Sequence, residues 1–291
     1  MSAIVYKNYT KEELERHFDP QKSVPDHARW AEERNTASQR VRKSLKSFFD
    51  VPYGDPPRRV SDIFPAAKPE APVLIYFHGG YWRSGSKEQN CHFAELFVNA
   101  GATVVVVEYD LCPSVTVTDI VGQARAAIAW AYRNISRYNG NPAKLYISGL
   151  SAGGHLVAMA LAHDWEKDGL PRDLIKGATA ISGVYELDAV LHLDVNKEIR
   201  LTPESARVNS PFVHPPLPRA PLIVAVGGAE PRGWQEQSKK FFALCKERGV
   251  SCEYVEIPGA HHYSIGLHLA DADSPLAAAI LAQAGLAPAG R

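Results

Sequence analysis

The run Lys144-Leu145-Tyr146-Ile147-Ser148-Gly149-Leu150-Ser151-Ala152-Gly153-Gly154-His155, continued by Leu156-Val157-Ala158-Met159-Ala160, changes its period in the middle. A short, mainly apolar segment (144–148) reads as a buried strand, and the residues after Gly154 read as a helix. Between them stands Gly-x-Ser-x-Gly, a strand–turn–helix setting that exposes a serine at the end of a sheet. The glycines answer a steric need, because a strained turn at a sheet edge leaves no room for side chains two residues either side of Ser151. The helix that begins after it aims its first amides and the positive end of its dipole at charge developing near Ser151. Alone, the pattern carries little weight: at average glycine and serine frequencies it arises by chance in roughly one chain in ten of this length.

A second motif supplies the missing weight. The apolar run 72–77 ends in His78-Gly79-Gly80-Tyr81-Trp82. Adjacent glycines after a strand let backbone N–H groups turn toward a substrate oxygen, as in loops that hold an oxyanion. By itself His-Gly-Gly is equally a tight turn. Two such motifs, each after a buried strand and in this order, point together to acyl-transfer chemistry at Ser151.

The remaining chain has the matching architecture. Further short apolar runs at 103–109, 177–181, 221–226 and 251–257 read as buried strands. Between them lie helical stripes, such as Phe93, Leu96, Phe97 and Ala100, or Ile120, Ala124, Ala127, Ile128 and Ala131. Strands alternating with helices imply a mostly parallel central sheet with helices on both faces. Ligands of such sheets bind at the carboxyl ends of the strands. Residues 1–50 differ in being charge-rich and helical over Lys11–Phe18 and 28–49, a helical N-terminal extension lying on the core and covering the site. Pro52, Gly54, Pro56 and Pro57 mark a turn after it. The poorly patterned stretch 185–218 suits an excursion over the site, and the whole of 1–291 is expected to form a single domain.

Composition narrows the partners. Thirty-two basic residues balance 32 acidic ones in 291 residues, which leaves no electrostatic footprint for nucleic acid or an anionic membrane. The longest strongly apolar run, 104–107, is far too short to span a bilayer, and the first 20 residues lack the apolar core of a signal peptide. Cys91, Cys112, Cys245 and Cys252 have no zinc spacing and suit reduced thiols in a cytoplasmic protein. No HxH or HExxH pattern is present, so no metal and no cofactor is expected. The expected partners are a small-molecule substrate and, at most, a second copy of the chain.

A serine nucleophile needs an acid and a histidine, in the chain order serine, acid, histidine. Gly227-Gly228-Ala229-Glu230 follows the run 221–226, and Pro258-Gly259-Ala260-His261-His262-Tyr263 follows the last one. Glu230 and a histidine of the doublet therefore sit on loops that can converge on Ser151. Spacing does not separate His261 from His262. Asp271 and Asp273 follow the histidines and Glu256 lies within a strand, which ranks them behind Glu230. His78 and His155 read as structural, bonding their own loops.

These motifs resemble the kynurenine formamidase (arylformamidase) branch of the α/β-hydrolases, which carries HGGxW in place of HGGG. The resemblance covers residue 70 to the end and includes His78–Trp82 with Arg83-Ser84-Gly85-Ser86-Lys87, Tyr109-Asp110-Leu111-Cys112-Pro113, the Ser151 turn and His262-Tyr263. It implies the α/β-hydrolase fold and a triad of Ser151, Glu230 and His262. It also implies an oxyanion hole from the amides of Gly80, Tyr81 and Ala152, with Gly79 as a substitute. Related enzymes usually have aspartate where this chain has Glu230. The metal-dependent type of formamidase carries an HxGTH motif that is absent here. The resemblance implies hydrolysis of N-formylkynurenine or a similar N-acyl arylamine, with Tyr81, Trp82 and Tyr263 as candidates to line an aryl pocket. The rival readings are a carboxylesterase or amidase on other small acyl substrates, and a catalytically silent binding protein of the same fold, which an intact serine, histidine and oxyanion loop disfavour.

Overall fold

The computed structural model describes residues 3–55 and 57–287; Pro56, read above as part of a turn, lies outside them. Among the described residues, ten strands occur in chain order: β1 (Ile4–Tyr6), β2 (Tyr9–Thr10), β3 (Phe48–Pro52), β4 (Val60–Phe64), β5 (Ala71–Phe77), β6 (Thr103–Val107), β7 (Gly140–Leu150), β8 (Ile175–Ile181), β9 (Leu222–Gly227) and β10 (Cys252–Ile257). β1 and β2 pair as a small hairpin, and the others form one sheet in the order β10-β9-β8-β7-β5-β6-β4-β3. From β10 to β6 all neighbours are parallel, whereas β4 and β3 run antiparallel at one edge.

The helices are α1 (Lys11–Phe18), α2 (Pro20–Ser23), α3 (His27–Ser44), α4 (Ala94–Asn99), α5 (Val117–Asn134), α6 (Ala152–Leu161), α7 (Leu187–Val190), α8 (Asn196–Ile199), α9 (Pro203–Val208), α10 (Arg232–Glu247) and α11 (Pro275–Gln283). Strand alternation divides the apolar residues between two cores. On β5, Val73, Ile75 and Phe77 join the core formed with α1, α5, α6 and α10; Leu74 and Tyr76 join the other, with α4, α11 and Val41 of α3. Five residues of the α5 stripe, Ile120, Ala124, Ala127, Ile128 and Ala131, are all buried. Thr116 starts that helix with a reciprocal capping box to Asp119, which satisfies two amides the first turn would otherwise leave open.

Two expectations need correction. The helix expected over 28–49 stops at Ser44, and Phe48–Pro52 turns into edge strand β3. Strand β4 was not anticipated, because its sequence Val-Ser-Asp-Ile-Phe places a carboxylate in mid-strand. Asp62 is fully buried there, yet it pairs with Arg42 and with Lys87 Nζ at 3.1 Å and accepts the Asp50 amide at 3.1 Å. A buried charge is tolerable once it is paired and hydrogen-bonded. Those partners are distant in sequence, so hydrophobic periodicity could not show them.

The N-terminal helices are built into the core. Leu14 and Phe18 of α1 are buried, and the capping box from Thr10 to Glu13 fixes where that helix begins. Glu15 accepts the Asp194 amide at 2.6 Å and the ammonium groups of Lys11 and Lys22 at 2.9 and 2.8 Å, joining α1 to the 185–218 excursion. Among the described residues, no helix is long and apolar enough to cross a membrane.

Parallel pairing brings the carboxyl ends of five adjacent strands to one rim. Phe77 lies beside Gly149, Leu150 beside Ile181, Ile181 beside Ala225, and Gly227 beside Ile257. Behind this rim α6 approaches the sheet so closely that a Cβ on Gly153 would lie 2.0 Å from the Phe77 carbonyl oxygen. Gly153→Ala is therefore expected to cost about 3 kcal/mol or more, since the collision is with backbone that cannot repack. Thermal or urea unfolding of the variant checks this; wild-type stability would show that α6 can back away from the sheet.

Candidate active site

Ser151 follows β7 at φ 59° and ψ −116°, a left-handed backbone that a non-glycine residue adopts only under constraint. Its amide donates to the Ile181 carbonyl at 2.8 Å, and its carbonyl accepts from His155 at 3.1 Å and Val184 at 3.3 Å. Those bonds hold the side chain at the rim, directly before the first turn of α6. The amide of Ala152, first residue of that helix, is one of the N–H groups a helix leaves without an internal acceptor.

The loop after β5 passes beside the serine. A Cβ on Gly79 would stand 3.1 Å from the Ser151 Cβ and 2.9 Å from the Leu150 oxygen. Gly80 (φ 121°), Tyr81 (φ 48°) and Trp82 (φ 56°) form a left-handed run. The Gly80 carbonyl closes the turn by accepting from Arg83 and Ser84, both at 3.1 Å, while the N–H groups of Gly80 and Tyr81 donate to no backbone acceptor among the described residues. His78 anchors the loop. Fully buried, it stacks on Tyr109 (ring centroids 4.2 Å apart), with Nδ1 2.8 Å from the Gly79 oxygen and Nε2 3.2 Å from Glu108 Oε1. Arg58 and the Lys87 amide also bind Glu108, which is nearly fully buried.

Glu230 lies after β9 and His262 after β10. Glu230 Oε2 accepts from His262 Nδ1 at 2.7 Å; Oε1 accepts from the Gly227 amide at 2.8 Å and from the Ser182 hydroxyl. With Nδ1 committed as a donor, Nε2 is the imidazole nitrogen left to act as a base. Trp234 of α10 backs the ring at 4.1 Å between centroids. His261 is turned elsewhere: its Nδ1 accepts the Ser264 amide at 3.2 Å, and its ring meets the edge of Trp30 at 4.9 Å. Asp271, Asp273 and Glu256 are exposed.

Ser151 and His262 share a cavity of about 260 Å³ with Gly79, Gly80, Tyr81, Leu150 and Tyr263. Its outer wall is N-terminal, from Asp19, Pro20, Gln21, His27, Ala31 and Arg34. Tyr81 reaches this wall, its hydroxyl donating to the Phe18 carbonyl at 2.5 Å, and Tyr263 lies 5.4 Å from the His27 ring. Trp82 does not line the cavity. It is fully buried against the edge of His155, because the left-handed run sends consecutive side chains in different directions. His155 donates Nε2–H to the Asn209 carbonyl at 2.8 Å, outside its own loop, and burial depresses its pKa to about 4. Sequence reasoning missed Ser182 and Trp234; it expected the N-terminal extension to cover the site but named none of the residues that wall the cavity. Ser182 alone had a signal, its position at the carboxyl end of a strand.

Such a site can attack an acyl carbon and hold the oxyanion that results. A family model described as alpha/beta hydrolase fold matches residues 74–265. The chain belongs to the α/β-hydrolase family. It is 30% identical over 294 residues to kynurenine formamidase of Danio rerio, covering 96% of this chain and 98% of that one. It is 29% identical over 240 residues to esterase LipQ of Mycobacterium tuberculosis, covering 73% and 56% respectively. A solved structure from a Silicibacter species, titled as a thioesterase candidate, superposes with a TM-score of 0.80 at 26% identity over 92% of this chain and 98% of that one. Within the α/β-hydrolases, the chain falls in the kynurenine-formamidase-like branch and is a hydrolase of amide or ester bonds.

Replacing Ser151 by alanine is expected to lower kcat by roughly four to six orders of magnitude in a folded protein, with His262→Ala comparably damaging. His261→Ala should cost far less, and a larger loss from His261 than from His262 would reverse their roles. Glu230→Gln keeps the shape but removes the charge beside the imidazole, and should cost about 10⁴ in kcat. Ser182→Ala removes only one of three donors to that carboxylate, so its loss should be far smaller. Steady-state kinetics on any turned-over substrate reads all five variants.

Proposed function

We propose that this enzyme hydrolyses an N-formyl arylamine, such as N-formylkynurenine, to formate and the free amine through an acyl-enzyme on Ser151. The supporting observation is the reach of the similarity. The likeness to the Danio rerio enzyme runs the length of the chain, so it takes in the N-terminal segment that walls the cavity, whereas the match to the mycobacterial esterase is partial. A cavity of about 260 Å³ also lies at the small end of ligand sites, which suits a compact substrate.

In this reading Ser151 Oγ attacks the formyl carbon as its proton passes to His262 Nε2, and Glu230 stabilises the imidazolium. The oxyanion is held by the amides of Gly80, Tyr81 and Ala152. His262 then protonates the departing nitrogen. Water, deprotonated by the same imidazole, attacks the formyl ester, and formate leaves with Ser151 regenerated. A carboxylesterase acting on small acyl groups is the second reading, favoured by the esterase relative.

Tyr81 lines the cavity beside the proposed oxyanion amides and is tied by its hydroxyl to Phe18, which argues against its moving aside for a larger acyl group. The expected outcome is that a formyl arylamine exceeds the matching acetyl arylamine at least tenfold in kcat/KM, the range of about 1–3 kcal/mol that excluding one methyl contributes. Aryl esters should react too, since their leaving groups need less protonation. Equal rates on formyl and acetyl arylamines, or no arylamide cleavage at all, would hand the site to the esterase reading.

A further inference from the structure

The cavity over Ser151 contains a guanidinium, that of Arg34, without a direct anionic partner; the one carboxylate on the same wall, Asp19, accepts the Gln21 amide at 2.9 Å and does not pair with it. Helix α3 presents His27, Ala31 and Arg34 to the cavity, spaced by four and then three residues on one helical face. The same face continues into the interior at Ser38 and Val41, both fully buried, so Arg34 stands where cavity meets core. Its side chain has no ion pair or hydrogen bond among the described residues, and its Nε is shielded from solvent. The groups that interact with it electrostatically are Tyr76, Tyr263 and His92. None supplies a negative charge at neutral pH, because burial raises both phenols and holds the His92 imidazole down to about 4. The other cation of the wall, Arg83, is already paired with Glu198 at 3.2 Å.

Arg34 is half-buried, and a guanidinium partly withdrawn from water without a partner remains charged, so a fold that keeps one at its reactive cavity retains a site for an anion. Its planar fork matches a carboxylate, which it can bind through two parallel hydrogen bonds. The charge cannot belong to the acyl end of the substrate. That end must fit between Ser151 and the Gly79–Gly80 turn, and a formyl group has nothing to carry it.

We propose that Arg34 binds a carboxylate on the amine portion of the substrate, so that the enzyme selects acyl arylamines with an anionic tail over neutral ones. This inference rests on the formamidase reading for the identity of the scissile bond, not for the role of Arg34. It makes Arg34 a specificity-determining residue in a segment of the chain far from the triad in sequence.

The test compares N-formylkynurenine with 2′-formamidoacetophenone, the same aryl formamide without the amino-acid tail, on wild type, Arg34→Gln and Arg34→Lys. Wild type should favour the charged substrate by roughly 10- to 100-fold in kcat/KM, the size of one or two charge-assisted hydrogen bonds. In Arg34→Gln that ratio should collapse towards one, mainly through KM, and Arg34→Lys should recover part of it. Should Arg34→Gln fail to fold, product inhibition of wild type decides: kynurenine must bind more tightly than 2′-aminoacetophenone. A wild type that does not distinguish the pair, or a folded Arg34→Gln that keeps the wild-type ratio, overturns the role of Arg34. If wild type cleaves neither formamide, the formamidase reading fails by itself. Arg34 is then read from 3-(4-acetoxyphenyl)propanoate against 4-ethylphenyl acetate, with the same two outcomes.

Discussion

The bond from the Ser151 amide to the Ile181 carbonyl, 2.8 Å long, joins the end of one strand to the end of the next across a residue that would not adopt its conformation unaided. A left-handed serine costs of order 1–3 kcal/mol, and it persists because surrounding structure over-determines it. Two further amides reach its carbonyl from α6 and from the segment after β8. The close approach of α6 to β5, possible only because residue 153 lacks a side chain, sets the direction from which one of them comes. Serine, helix and neighbouring strand are thus a single constraint, and the loops around them are positioned relative to it.

Glu230 has a comparable place on the other side of the rim. Three donors from three separate segments meet its two oxygens, namely the residue after β8, the end of β9 and the loop after β10. A carboxylate bound in this way cannot rotate, which fixes the tautomer and direction of His262.

Legibility in the sequence followed how local each signal was. Six strands of the sheet and the stripes of α4 and α5 were visible because burial on both faces leaves a continuous or periodic apolar record. Ser151, Glu230 and His262 could be singled out because each stands just past such a strand. The pairing of His262 rather than His261 with Glu230 depends on the path of one loop, for which spacing carries no information. Strand β4 escaped because Asp62 is neutralised by Arg42 and Lys87, residues 20 and 25 positions away from it in the chain. Trp82 was misplaced for a related reason: adjacent residues in a left-handed run do not share a direction, so neighbouring aromatics need not share a pocket. That the N-terminal helices cover the site was expected, but the particular wall residues of α3 left no trace, since a polar helix carries no apolar stripe to show which face meets a cavity.

The proposed chemistry and the proposed discrimination therefore occupy different parts of this polypeptide. Every group proposed to handle the reacting bond lies between Gly79 and His262, within the stretch that the α/β-hydrolase family model matches, while the outer wall of the cavity is written in residues 19–34, which precede the main sheet. Changes in that first stretch can redraw which molecules are admitted without touching the strained serine or its histidine. For a lineage of such hydrolases, the amino-terminal helices are where new substrates can be acquired cheaply, one wall residue at a time, over machinery that stays the same.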